Sequence, residues 1–155
     1  MQLKNWVEIP PIPCPEFIQD KIMLASNISL NKREISIFST SLLWLTEQLI
    51  KDKIPYNNLT RVTCIFTGVN NIEIDLTNLN APGTYSPIII YRVNNWRNAQ
   101  YNDLTLFTIF LEELCHCQYH YEEEVQVKRK VCEILHSHIP NLPETCAYLP
   151  EALVE

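Results

Sequence analysis

The chain has 155 residues, a net charge of −6, and a composition that is 46% hydrophobic and 19% charged. These values are typical of a globular protein, and they predict a single domain over residues 1–155. The negative charge argues against nucleic acid as a partner, and no apolar run approaches the length of a membrane-spanning helix, so we expect neither nucleic acid nor membrane as a partner.

The amino-terminal segment, residues 1–15, is rich in proline and has no signal-peptide pattern. We expect it to lie extended over the surface, and we expect the protein to be cytoplasmic. The six cysteines would then be thiols. Abundant Asn and Ile together with scarce Gly and Ala indicate an AT-rich bacterial genome.

Two helices are predicted before any strand. Residues 16–25 can form a short helix. Asn31 can cap a second helix, with Glu34 three residues later as in a capping box. Its apolar residues recur at intervals of three and four, as in a helix that faces a core: Ile35, Phe38, Leu42, Leu45 and Leu49. This helix is expected to end near Lys53.

The middle of the chain has the features of strands. Residues 61–67 are rich in β-branched side chains, and residues 72–76 alternate apolar with polar. The turn residues 68–71 between them predict an antiparallel hairpin. A third strand is expected over residues 87–93, and its initial proline favours an edge position.

A long carboxy-terminal helix is predicted from Asp103 to His136, because apolar residues recur along this stretch and Asn102 can cap it. A helix of that length needs a break or a long exposed end. The tail, residues 139–155, is interrupted by prolines. The expected fold class is therefore α+β, with two amino-terminal helices, a small, mostly antiparallel sheet and a long helix packed across it.

The predicted long helix carries an unusual group of acidic and histidine residues. At roughly 100° per residue, Glu112, His116, His120 and Glu123 fall within about 80° of one another on one face. Glu113 lies at the edge of this Glu/His face. Two imidazoles four residues apart, flanked by carboxylates, could bind a divalent metal, with zinc the expected ion.

The segment Glu112-Glu113-Leu114-Cys115-His116 resembles the His-Glu-x-x-His motif of zincin-like metallopeptidases, with Glu112 in place of the first histidine. The resemblance implies that Glu113 is the general base and His116 a zinc ligand. Glu112 would occupy the first ligand position. The third ligand would come from His120, Glu123 or Glu124, and the sequence does not choose between them.

The same resemblance implies a zinc-dependent peptidase. Its peptide substrate would add along the edge strand 87–93, with Ile89 and Tyr91 as predicted substrate contacts.

Three alternatives remain open at the level of sequence. The first is a catalytically inactive zincin-fold domain that binds a peptide or protein through the same edge. The second is a carboxylate-bridged di-iron protein, because Glu113 and His116 also match Glu-x-x-His, although the strand-like middle of the chain argues against the four-helix bundle that such sites use. The third is a solvated helix face whose charged residues only pair with one another.

Overall fold

The computed structural model describes residues 2–3, 7–69, 74–75, 87–143 and 148. The helices are α1 (Glu16–Gln19), α2 (Lys32–Lys51), α3 (Val93–Asn98), α4 (Asp103–Tyr119) and α5 (Glu124–His138), with a 3-10 turn at Tyr56–Asn58. The strands are β1 (Gln2–Leu3), β2 (Ile22–Ser26), β3 (Val62–Thr67), β4 (Ile74–Asp75) and β5 (Ile88–Arg92). In the described part of the chain, no helix is both long and apolar enough to cross a membrane.

The main sheet contains three parallel strands in the order β2-β3-β5. Cys64 on the central strand lies opposite Leu24 and Ile89. The prediction of a mostly antiparallel sheet is therefore wrong. Parallel neighbours need a long crossover connection, and α2 supplies one between β2 and β3.

The predicted hairpin between residues 61–67 and 72–76 is also wrong in its pairing. The first strand forms, but the described part of the second, β4, pairs antiparallel with β1 in a separate two-stranded sheet. Every residue of β3 is buried, as expected for a central strand of a covered parallel sheet. Residues 70–73 and 76, which complete the predicted turn and second strand, lie outside the described residues.

The predicted helix over residues 16–25 ends at Gln19, and β2 follows from Ile22. A short apolar run has no periodicity that separates a helix from a buried strand, so β2 was missed. Near the carboxyl end of β2, the Val7 amide donates to the Ser26 carbonyl at 2.9 Å.

The second predicted helix is confirmed as α2. The Asn31 side chain accepts from the Glu34 amide, and the Glu34 carboxylate accepts from the Asn31 amide, which completes the capping box. The helix ends at Lys51, close to the predicted end. Its apolar face enters one continuous core, where the Phe38 ring meets the rings of Phe66 and Phe110 edge-on at centroid distances of 5.1 and 5.0 Å.

The single long helix from Asp103 to His136 is divided into α4 and α5. Asn102 caps α4 as predicted, through a hydrogen bond from the Thr105 amide. The helix stops because His120 adopts a left-handed backbone conformation with φ of 56°. The break allows α4 and α5 to fold back and pack against each other and against α2.

Candidate functional site

The helix break disperses the predicted Glu/His face. Glu112, Glu113 and His116 lie on α4, His120 lies just beyond its end, and Glu123 precedes α5. The His120 ring is directed toward the Asn58 carbonyl, with 3.2 Å between Nε2 and the oxygen. The prediction that these side chains share one face of a continuous helix is therefore wrong from His120 onward.

The imidazole of His116 lies between two oxygen acceptors. Its Nδ1 is 3.2 Å from the Tyr121 carbonyl, and its Nε2 is 3.3 Å from a Glu124 carboxylate oxygen. A neutral imidazole can donate to only one of these oxygens, whereas an imidazolium donates to both. If Nδ1–H donates to the Tyr121 carbonyl, the Nε2 lone pair faces the Glu124 carboxylate, so His116 has one carboxylate beside it.

The two remaining candidate ligands are engaged elsewhere. Glu112 accepts a hydrogen bond of 2.9 Å from the Tyr148 hydroxyl, and burial together with this carboxylate raises the pKa of Tyr148. Glu123 is exposed and accepts from Gln126. No group of three or more His, Cys, Asp or Glu side chains within the described residues is arranged to hold a metal ion. The four predicted ligands Glu112, His116, His120 and Glu123, all described, are therefore not gathered at one point.

Glu113 lines a pocket of about 220 Å³ beside β5. Its walls come from the carboxyl half of β5, from α3, from the loop between α3 and α4, and from α4: Ile90, Tyr91, Arg92, Asn95, Trp96, Tyr101, Ile109 and Glu113. Ligands of open α/β sheets bind near the carboxyl ends of the strands, and this pocket lies alongside the carboxyl half of β5. We refer to it below as the β5 pocket.

The Glu113 carboxylate is only partly hydrated at the β5 pocket. Lost hydration raises its pKa, His116 one turn later opposes the rise, and the carboxylates of Glu112 and Glu124 add to it. The net direction is upward, so Glu113 binds a proton more readily than an ordinary glutamate. A cation placed beside it would favour the ionised form.

The walls of the β5 pocket are held in place by buried contacts. The Trp96 indole nitrogen donates to the Glu34 carboxylate at 3.2 Å, and the Tyr91 hydroxyl donates to the Phe110 carbonyl at 3.4 Å. Both aromatic side chains are almost fully buried. The pocket is therefore lined by side chains whose positions the core determines.

The two predicted substrate contacts differ in position, because Tyr91 lines the β5 pocket and Ile89 does not. Side chains alternate along a strand, and both of these belong to the core face of β5. Ile88 and Ile90 face outward instead, with 42% and 50% of their surface exposed. The sequence-based prediction missed Arg92, Trp96 and Tyr101, because they come from a strand, a helix and a loop that only the tertiary structure brings together.

Comparisons with known proteins gave no match to a family model, to a curated protein or to a solved structure.

Proposed function

We propose that the chain is a non-catalytic binding domain that takes an extended peptide segment along the outer edge of β5, with one peptide residue in the β5 pocket. The position of the pocket supports this proposal most directly. Ile90 and Arg92 lie on the outward face of β5, whereas Ile109 and Glu113 belong to α4, which packs with the core. A pocket between these two groups lies beside the strand, where an added strand would run.

The edge of β5 has the main-chain groups that strand addition needs. Among the described residues, β5 pairs only with β3, which leaves its other side without a strand partner. Main-chain hydrogen bonds would supply affinity, and the pocket would select one side chain. The exposed Ile88 and Ile90 would add apolar contact on the outward face.

The arrangement of side chains favours binding over zinc-dependent hydrolysis. His116 and Glu112 are occupied by contacts within the protein, and His120 belongs to the helix end rather than to the α4 face. Glu113, the predicted general base, lines the β5 pocket. A role for Glu113 in ligand recognition therefore agrees better with its surroundings.

Titration of the ¹⁵N-labelled chain with a pool of six-residue peptides of alternating β-branched and polar residues tests the proposal. We expect amide shifts at β5, α3 and the Ile109–Glu113 stretch. Ile90→Asp should weaken binding about tenfold, because it places a charge on the apolar outward face, whereas Ile50→Asp, at an exposed position on α2, should leave binding unchanged. Shifts centred elsewhere, or none at millimolar peptide, would reject the proposal.

A further inference from the structure

The β5 pocket contains one positively charged and one negatively charged side chain that do not neutralise each other. Both Arg92 and Glu113 line it. In the described part of the chain, neither makes a hydrogen bond or an ion pair, and their charged atoms are not within 4.0 Å of each other. The other charged side chains near this end of the sheet differ: Glu34 and Arg97, for example, are paired with each other. A ligand that satisfies both free groups has one charge of each sign.

The direction of the sheet indicates which ligand charge meets Arg92. Arg92 is the last residue of β5, and all three strands of the main sheet run parallel. A peptide that adds parallel to β5 has its carboxyl end at the same end of the sheet as the carboxyl end of β5. Its terminal carboxylate would then lie near the Arg92 guanidinium, which can bind a carboxylate through two hydrogen bonds.

Glu113 lines the pocket from α4, and part of the pocket wall is apolar. The wall includes Trp96, Tyr101 and Ile109. A lysine or arginine side chain packs its methylene groups along such a wall while its charged end reaches a carboxylate. Aromatic rings also attract a nearby cation. The volume of about 220 Å³ is small for a drug-sized ligand and suits a single side chain.

We infer that the β5 pocket binds the carboxyl terminus of a partner peptide, with the terminal carboxylate on Arg92 and a basic last side chain on Glu113. This inference rests on the proposed function, because it names the part of the peptide that enters the pocket. The raised pKa of Glu113 agrees with it, since a bound cation offsets the hydration that this carboxylate has lost.

Fluorescence anisotropy with labelled hexapeptides tests the inference on the full chain. The probe has the sequence Thr-Val-Thr-Ile-Thr-Lys with a free carboxyl terminus. One comparison peptide carries a terminal amide, one ends in Leu and one ends in Glu. Wild type should bind the probe at least tenfold more tightly than each of the three, because each removes or reverses one charge of the terminal residue.

Variants of the two charged residues separate their roles. Arg92→Gln should remove the preference for the free carboxylate over the amide and keep the preference for Lys over Leu. Glu113→Gln should remove the preference for Lys over Leu and keep the preference for the free carboxylate over the amide. Glu113→Lys should prefer the peptide that ends in Glu. Neither side chain makes a hydrogen bond or an ion pair within the described residues, so the variants should keep the circular dichroism spectrum of wild type.

Matched controls use the same substitutions away from the pocket. For Arg61→Gln, the residue immediately precedes β3, at the end of the sheet opposite Arg92. For Glu122→Gln, the residue lies between α4 and α5. Neither should alter any preference. If all four peptides bind wild type equally at β5, the inference is wrong while the proposed function stands. If no peptide binds, both are wrong.

Discussion

The guanidinium of Arg97 on α3 donates two hydrogen bonds to the carboxylate of Glu34 on α2, Nε to Oε1 at 2.7 Å and Nη2 to Oε2 at 2.8 Å. Glu34 also accepts from the Asn31 amide and from the Trp96 indole, so a carboxylate with 2% exposure has four donors. This ion pair fixes the first turn of α2 to α3. Because Trp96 is a wall of the β5 pocket, the same pair supports the candidate site.

Glu34→Gln should destabilise the fold by about 1–3 kcal/mol, because one acceptor oxygen is replaced by an amide NH₂ that faces a donor, and the partly exposed Arg97 guanidinium loses its ionic partner. Urea unfolding measures the loss. Glu122→Gln, the same substitution at an exposed position, should change the free energy of unfolding by less than about 0.5 kcal/mol. A loss below about 1 kcal/mol for Glu34→Gln would show that the buried pair contributes little to stability.

Stability should fall in acid. Burial alone would raise the pKa of Asp52, but hydrogen bonds from Lys130, Tyr119 and Gln48 outweigh it and lower the pKa, and the pKa of Glu34 is lowered in the same way. A carboxyl group with a lowered folded-state pKa adds stability above its ordinary pKa. That contribution is lost as the pH falls through the folded-state value. The free energy of unfolding should therefore decrease from about pH 5 toward pH 3.

Lys130→Met tests the source of this acid sensitivity. The Lys130 ammonium donates to Asp52 at 2.9 Å and to Glu133 at 2.6 Å, and it lowers the pKa of both. Its removal should reduce stability at pH 7 and flatten the decline between about pH 5 and pH 3. An unchanged slope in urea unfolding over this range would show that the Lys130 contacts do not set the two pKa values.

At the helix break, the difference in stability between His120→Gly and His120→Ala has opposite signs for a broken and for a continuous helix. At a left-handed position, glycine avoids a steric cost of about 1 kcal/mol that any other residue has. His120→Gly should therefore be about 1 kcal/mol more stable than His120→Ala, since both lose the contact with Asn58. In a continuous helix alanine would be the more stable by a similar amount. Thermal unfolding of the two variants distinguishes the two structures.

Elemental analysis tests the zinc prediction. His116 contacts Tyr121 and Glu124, and Glu112 contacts Tyr148, so we expect far less than one zinc per chain in protein purified without added metal. Glu112→His restores the letters of the His-Glu-x-x-His motif. It should not restore stoichiometric zinc unless Glu124, whose carboxylate lies beside His116, serves as the third ligand, because His120 lies beyond the end of α4. One zinc per chain in either protein would support the peptidase hypothesis instead.

Local signals in the sequence predicted the helices better than the sheet. The capping box of Asn31 and Glu34 and the cap at Asn102 depend on residues three positions apart, so the sequence contains all the information they need. The left-handed His120 does not follow a local rule, because glycine is the usual residue at such a position. The tertiary packing of α4 against α5 is what selects it.

Pairing between distant strands was beyond the sequence patterns. The alternation in residues 72–76 fits either a hairpin with β3 or a separate ladder, and the structure has β4 paired with β1. The β5 pocket was missed for the same reason. Arg92 and Glu113 are 21 positions apart, and neither belongs to a motif that predicts their meeting. Glu113 was identified as a candidate, but for chemistry that its surroundings do not support.

Hydrogen–deuterium exchange of the β5 amides, with and without the Lys-terminated hexapeptide at saturation, tests strand addition most directly. We expect slower exchange in the proteolytic fragments that cover Ile88–Arg92, because the main-chain groups on the unpaired side of β5 gain partners, and no change in β2 at the other side of the sheet. Unchanged exchange at Ile88–Arg92 under saturating peptide, or protection confined to another segment, would contradict the assignment of β5 as the binding edge.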